Sequence, residues 1–150
     1  MAKKFKFKLE GLLKLREFKE KKIKLELGEI LKDIEQTKSN IAKAQQDIED
    51  SYAAQEEFLA QPTSGQMAQF FPQFITAKRE DQKAQENILM ALQRSYDEKV
   101  QELAGAKGEV KVLDNLKEKH STEHKKEMDK KLQESIDELT MAKKFKESKL

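Results

Sequence analysis

Apolar residues in the first half of the chain recur at alternating steps of three and four residues. With one threonine included, the series is Leu27, Ile30, Ile34, Thr37, Ile41, Ala44 and Ile48. This spacing places every member on one stripe of an α-helix, the seam by which one helix packs along another. A strand would need apolar residues at every second position. The seam therefore predicts a long helix with one narrow packing face.

A second series follows a break at residues 61–65, which read Gln-Pro-Thr-Ser-Gly. Its members, including two histidines, are Ile88, Leu92, Tyr96, Leu103, Val110, Leu113, His120, His124, Met128, Leu132, Ile136 and Leu139. The spacing is helical, but strict heptads give way to runs of four, which indicates an irregular supercoil. Two helical series around one break predict an all-α fold, a long antiparallel two-helix coiled-coil hairpin.

Composition agrees with a single narrow seam. Charged residues make up 39% of the chain and hydrophobic residues 37%, with only five glycines and two prolines. A globular domain is normally closer to half apolar. We predict one domain over residues 1–150, with helix one at about 5–60, a turn at about 61–72 and helix two at about 66–148. Pro72 is expected at a helix start or a kink.

Folding the chain about residue 64 places Phe5 level with Glu123. The residues from His124 to Leu150 then extend past the N-terminal segment and are a candidate partner surface. Gly28, Gly105 and Gly108 lie nearly level in the same pairing. We expect the helices to be locally less stable there, because each glycine inside a helix costs about 1 kcal/mol of helix stability.

The net charge of +2 conceals an uneven distribution. Residues 1–25 carry ten Lys or Arg and three Glu, whereas residues 33–60 carry two Lys and seven acids. The basic end is either a solvated face or a docking end for an acidic surface. Nucleic acid is not predicted, because a duplex-binding domain usually carries a basic excess over its whole length.

Apolar residues stand among the lysines of this basic end. They are Phe5, Phe7, Leu12, Leu15 and Phe18. They could lie on an anionic membrane or continue the seam. The sequence does not decide between these two interpretations.

The sequence contains no catalytic motif that we recognise, and we predict neither an enzyme nor a cofactor. His120 and His124 are one helical turn apart, but no third metal ligand is within reach, so they are expected at polar seam positions. No glycine-rich phosphate loop occurs, and the absence of cysteine is typical of a reducing compartment, for which we expect the cytoplasm. The longest apolar run is too short to span a membrane, and no apolar signal core follows the basic N-terminus.

Aromatic residues crowd beside the break. Phe70, Phe71 and Phe74 follow it with Ile75, and Tyr52 and Phe58 precede it on the other arm. These side chains either plug the hairpin tip or form an exposed patch that binds another protein.

Three segments of the chain resemble the FliJ proteins of the bacterial flagellar export apparatus. The first is Phe-Lys-Phe-Lys-Leu-Glu-Gly-Leu-Leu-Lys-Leu-Arg-Glu at residues 5–17. The second is Pro-Gln-Phe-Ile at residues 72–75, just after the turn, and the third is the charged tail from Glu123 to Leu139. The resemblance covers nearly the whole chain.

The resemblance implies a non-enzymatic stalk, similar to the rotor stalk of rotary ATPases. Its terminal end inserts into the ring of the flagellar export ATPase and promotes assembly of that ring. The stalk also binds the cytoplasmic domain of the export gate and handles export chaperones. These partners imply a cytoplasmic protein held peripherally at the inner membrane, with the hairpin expected to be monomeric.

The resemblance also suggests site residues. Arg16, Lys19 and Lys22 lie at the basic end that would face the ATPase ring, and Tyr52 and Phe74 occupy places that match the gate-binding surface. The chain departs from the family where Phe-Phe-Pro-Gln at residues 70–73 replaces the hydrophilic residues usual before that Phe.

Three alternatives share parts of this pattern. An injectisome type III secretion stalk has the same architecture. A structural coiled-coil adaptor would associate in parallel through the whole seam and need no ATPase. A prefoldin-type holdase ranks last, because no strand-forming pair of segments lies near the break.

Overall fold

The computed structural model describes residues 4–62 and 65–148, and the regular structure within them is entirely helical. Helix α1 spans Glu10–Leu59, the short α2 spans Gly65–Ala68, and α3 spans Phe70–Ser148. The described residues contain no strand, which confirms the predicted all-α class.

Helix α1 begins with a turn that precedes its first regular residue. The backbone N–H of Glu10 donates to the carbonyl of Phe7 at 3.1 Å, and the N–H of Leu13 donates to the carbonyl of Leu9 at 2.9 Å. The Glu10 carboxylate lies in the first turn, where negative charge is favourable at the positive end of the helix dipole. Phe5 and Phe7 thus precede the helix rather than belonging to it.

Helix α1 ends at Leu59, and the N–H of Gln61 donates to the carbonyl of Phe58 at 3.2 Å. Pro62 follows, and it has no N–H with which to continue the helix. Thr63 and Ser64, which belong to the predicted turn, lie outside the described residues. Pro72 is the third residue of α3, where the backbone N–H has no intrahelical partner to lose.

The chain divides into two compact units. We call Lys22–Leu103 the hairpin unit, and the described residues of Met1–Lys21 and Ala104–Leu150 the terminal unit.

The hairpin unit pairs α1 with α3 in antiparallel fashion. Gln82 donates its side-chain amide to Gln45 at 2.9 Å, and Lys78 lies 3.2 Å from Asp47. Nearer the other end, Lys99 pairs with Glu26. Residue numbers therefore fall along one helix as they rise along the other. The buried residues of this unit are Ile23, Ile34, Thr37, Ala44, Ile48 and Ile75.

The face that α3 turns toward α1 in the hairpin unit differs from the predicted series. Ile88, predicted at the seam, is 47% exposed, so that assignment is wrong. The less exposed positions alternate by three and four instead: Gln82, Gln85, Leu89, Leu92, Tyr96, Lys99 and Leu103. Counting only apolar residues missed this heptad, because two glutamines and a lysine occupy part of it.

The terminal unit has its own cluster of buried residues, Phe7, Leu13, Val110 and Leu113, against which Phe5 and Leu116 pack. The Phe5 ring lies 5.7 Å from the ring of His124, which confirms the predicted level of Phe5. Lys117 lies 2.9 Å from Glu10, so the pairing is again antiparallel, and the predicted two-helix class is confirmed. Every described residue from 129 to 148 is exposed.

Candidate protein-interaction surfaces

The basic end of the terminal unit is partly neutralised by one glutamate. Arg16 forms an ion pair with Glu109, and Lys19 lies 3.9 Å from the same carboxylate. Hydrogen bonding from Arg16 is the main cause that lowers the pKa of Glu109, and the charges of Arg16 and Lys19 act in the same direction. The Lys19 side chain is 56% exposed, so its charge remains available to solvent or to a partner.

Lys22, the third predicted basic residue, belongs to the hairpin unit and is exposed. The pKa of Glu26 is lowered chiefly by a hydrogen bond from Lys99, and the charge of Lys22 contributes. The structure thus brings Arg16 and Lys19 to one carboxylate of the terminal unit, and it places Lys22 near a different carboxylate of the hairpin unit.

The apolar residues among the N-terminal lysines divide into two groups. Phe7 is buried and continues the seam of the terminal unit. Leu15 and Phe18 are 62% and 66% exposed and stand on the solvent side of α1. The basic end therefore carries exposed apolar surface together with its charge.

Tyr52, predicted at the gate-binding surface, is 44% exposed in the hairpin unit. Arg79 donates a hydrogen bond to the Tyr52 hydroxyl, and its guanidinium lies 5.5 Å from the centre of the Tyr52 ring. This double contact fixes the phenol ring against α3 while one side of it remains open to solvent.

Phe74, the second predicted gate-binding residue, is half-buried. Its ring stacks on Phe70 at 5.9 Å, and the ammonium of Lys78 lies 5.5 Å from the ring centre. Tyr52 and Phe74 are thus each held by a cation of α3, and both lie in the hairpin unit.

The tip of the hairpin unit combines the two predicted arrangements of aromatic residues. Phe71 is half-buried against Phe58, with ring centres 5.5 Å apart, and Ile75 is buried. Phe70 contacts Phe71 at 5.6 Å and is nevertheless 58% exposed. Part of the cluster seals the tip and part of it faces solvent.

The two histidines of α3 contact phenylalanine rings of the N-terminal segment. The His120 ring stands edge-on to Phe7 at 5.9 Å, and His124 meets Phe5. His124 is half-buried at the packing face of the terminal unit, whereas His120 is exposed and contacts that face from its edge. Within the described residues, no three His, Cys, Asp or Glu side chains gather as a metal site would require.

Two contributing residues escaped the sequence reasoning, namely Glu109 and Arg79. Each acts through a residue on another helical segment, so its role depends on which residues lie opposite. Folding about residue 64 places Arg79 within a turn of Tyr52, so that contact could have been found. The same folding leaves Glu109 and Asp114 both within a turn of Arg16, so it does not select Glu109.

A search of the described helices finds none with a stretch long and apolar enough to cross a membrane. A protein-family model described as the flagellar FliJ protein matches residues 5–149, nearly the whole chain. Comparison with curated proteins and comparison with solved structures gave no match.

Proposed function

The chain belongs to the FliJ family, and from that premise we propose that this component of flagellar type III export is a non-enzymatic stalk of the export ATPase ring. In this proposal the terminal unit inserts into the ring and promotes its assembly. The protein is cytoplasmic and is held peripherally at the inner membrane through its partners.

The observation that carries the proposal is the incompletely neutralised basic end of the terminal unit. Glu109 is shared by Arg16 and Lys19, and Lys19 remains more than half exposed. Exposed apolar side chains stand beside these cations and along residues 129–148, including Phe18 and Leu139. Positive charge beside exposed apolar surface is suited to a protein lumen that offers carboxylates and apolar contacts.

The test is ATP turnover by the purified flagellar export ATPase as the protein is titrated in, with gel filtration of the same mixtures. We expect stimulation together with a ring-sized complex. Lys19→Glu should raise the half-maximal concentration by about two- to fivefold, the range for one exposed charge contact. Lys22→Glu should act in the same direction.

Lys38→Glu is the matched control for Lys19→Glu. The Lys38 side chain is 54% exposed and lies 3.9 Å from Glu35, so the exposure, the ion-pair distance and the charge change are all comparable. Lys38 lies sixteen residues beyond Lys22 along α1, outside the basic run of residues 1–25, and its reversal should leave stimulation unchanged. Equal losses from both variants, or no stimulation by the unaltered protein, would contradict the stalk and favour an adaptor.

Arg16 needs a paired substitution, because reversing it alone sets two carboxylates against each other. Arg16→Glu combined with Glu109→Arg keeps an ion pair and the net charge while moving the cation from α1 to α3. If a cation on α1 is what the ring contacts, the double variant should stimulate less than the unaltered protein at equal helix content.

We propose further that Tyr52 and Phe74 contact the cytoplasmic domain of the export gate and that the chain also handles export chaperones. The support for the gate contact is the 44% exposure of Tyr52 and its fixed position against Arg79. Weaker binding of the isolated gate domain to Tyr52→Ala, with unchanged melting temperature, is the expected result. Unchanged binding would remove Tyr52 from the contact.

A further inference from the structure

An open pocket of about 410 Å³ lies at the tip of the hairpin unit, and we call it the tip pocket. Its lining residues are Phe58, Gln66, Met67, Phe70 and Phe71. They come from the end of α1, from α2 and from the start of α3. The volume lies within the range of about 300–1,000 Å³ common for ligand sites and is sufficient for a bulky side chain.

The walls of the tip pocket are held in place by local structure. The backbone N–H of Gln69 donates to the carbonyl of Gly65 at 3.3 Å, and the N–H of Gln73 donates to the carbonyl of Gln69 at 3.3 Å. Phe70 is further fixed by its stack on Phe74. Met67 and Phe70 are nevertheless each 58% exposed, so their apolar surface is not consumed by the fold.

The rim of the tip pocket carries one acid, Glu57, in a stretch of chain that has no Lys or Arg. Between Lys43 and Lys78 the sequence contains no Lys or Arg and five acids. Asp47, the acid farthest from the tip, is already paired with Lys78, whereas Glu56 and Glu57 are exposed. A second depression of about 310 Å³ adjoins the tip pocket, shares Phe58 and Phe71 with it, and includes Glu57 in its lining.

We propose that the tip pocket binds a segment of another protein in which a bulky aliphatic or aromatic side chain is flanked by Lys or Arg. The apolar side chain would enter between Phe70 and Met67, and a basic neighbour would meet Glu57. Burial of the anchor supplies affinity, and Glu57 selects the sign of the flanking charges. The site rests on the pocket's own chemistry and goes beyond the proposed contacts with the ATPase ring and the gate.

The chain contains no tryptophan, which allows a direct assay with a tryptophan-bearing peptide. The probe is a short peptide that carries one Trp between lysines, and the full chain is titrated into it. The peptide holds the only Trp in the mixture, so the fluorescence emission reports the environment of that side chain. We expect a blue shift that saturates and that weakens as salt screens the rim charge. A peptide of the same length with glutamates in place of the lysines should give no shift.

Variants locate the binding on the chain. Phe70→Ser should weaken binding of the lysine peptide by about tenfold, and Glu57→Gln by about two- to fivefold. Met90→Ser is the matched control, because Met90 is 65% exposed and lies on α3 in the hairpin unit, as Phe70 does. It should leave binding unchanged.

Circular dichroism shows whether each variant keeps its helix, and Met67→Ser replaces Phe70→Ser if the latter loses structure. Equal binding of the two peptides would overturn the proposal. So would binding that survives the pocket substitution, or binding lost equally in Met90→Ser. If the mass of the protein in solution corresponded to a dimer and the peptide did not bind, the tip pocket would be assigned to a second copy of the chain instead.

Discussion

Lys99 stands between two glutamates on different helices of the hairpin unit. Its ammonium pairs with Glu26 of α1 and lies 3.1 Å from Glu102 of α3. The hydrogen bond to Glu26 is the main cause that raises the pKa of Lys99, and the same bond lowers the pKa of Glu26. A lysine at a seam position is tolerated because its alkyl stem packs in the seam while the charged end reaches carboxylates at the edge.

The pKa shift of Glu26 predicts how its pair responds to acid. A carboxyl whose pKa is lowered on folding stabilises the protein above its unfolded pKa, ordinarily 4.5, and the contribution disappears as the pH falls through the lowered value. Glu26→Gln should therefore melt at a lower temperature than the unaltered protein near neutral pH. The gap between the two melting curves should close as the pH falls below 4.5.

The control for Glu26→Gln is Glu35→Gln. Glu35 is 76% exposed and lies 3.9 Å from Lys38 on its own helix, where an exposed pair contributes little. Melting temperatures from circular dichroism over the acid range give the comparison. A gap for Glu26→Gln that widened in acid would show that the pair does not stabilise the fold as the lowered pKa requires.

Single residues show what sequence reasoning could reach on α1. Ile34, Ala44 and Ile48 were predicted at the seam and are buried, because helical period alone decides which face they share. Thr37 is buried with them, and its hydroxyl donates to the carbonyl of Asp33 at 2.8 Å, which satisfies the polar group within the helix. On α3, Ala106 was not predicted at the seam although it is only 3% exposed, because a small side chain adds little to an apolar pattern.

At the level of elements, Gly28 lies deep inside α1, where glycine is the least favourable residue other than proline. A Cβ added at Gly28 meets nothing within 4 Å, so alanine fits without displacing a neighbour. Gly28→Ala should stabilise the fold by about 1 kcal/mol. For a chain of this length the melting temperature should rise by roughly 2–4 °C.

Gly11→Ala is the comparison for Gly28→Ala. Gly11 has equally open surroundings but lies in the first turn of α1, where the helix frays and fewer hydrogen bonds depend on it. Its substitution should give a smaller rise in melting temperature. Equal rises in melting temperature would mean that helix position does not matter. A lower melting temperature for Gly28→Ala would mean that the glycine is required for another reason.

Pairing between elements could be predicted from the sequence only to within about a helical turn. A heptad seam identifies the packing face of each helix, but it leaves the register between helices free to shift by whole repeats. Arg16 was named from its basic surroundings, whereas its partner Glu109 required the register. The same holds for the α3 face with Gln82, Gln85 and Lys99, whose polar side chains broke the apolar count.

At the scale of the whole molecule, the paired contacts of each unit are made within one chain. Gln45 meets Gln82 in the hairpin unit, and Glu10 meets Lys117 in the terminal unit. A second chain would have to break such contacts in order to share the same seam. We therefore predict a monomer of 17.4 kDa in light scattering, with no change in mass on dilution.

Cross-linking separates this monomer from the parallel adaptor more sharply than mass alone. The chain has no cysteine, so Gln45→Cys with Gln82→Cys creates a defined pair of thiols for a short bismaleimide linker. In the monomer the linker should close within one chain, and Gln45→Cys alone should stay uncross-linked. In a parallel dimer Gln45 of each chain would lie beside its counterpart, so the single variant would cross-link chains and contradict the internal hairpin.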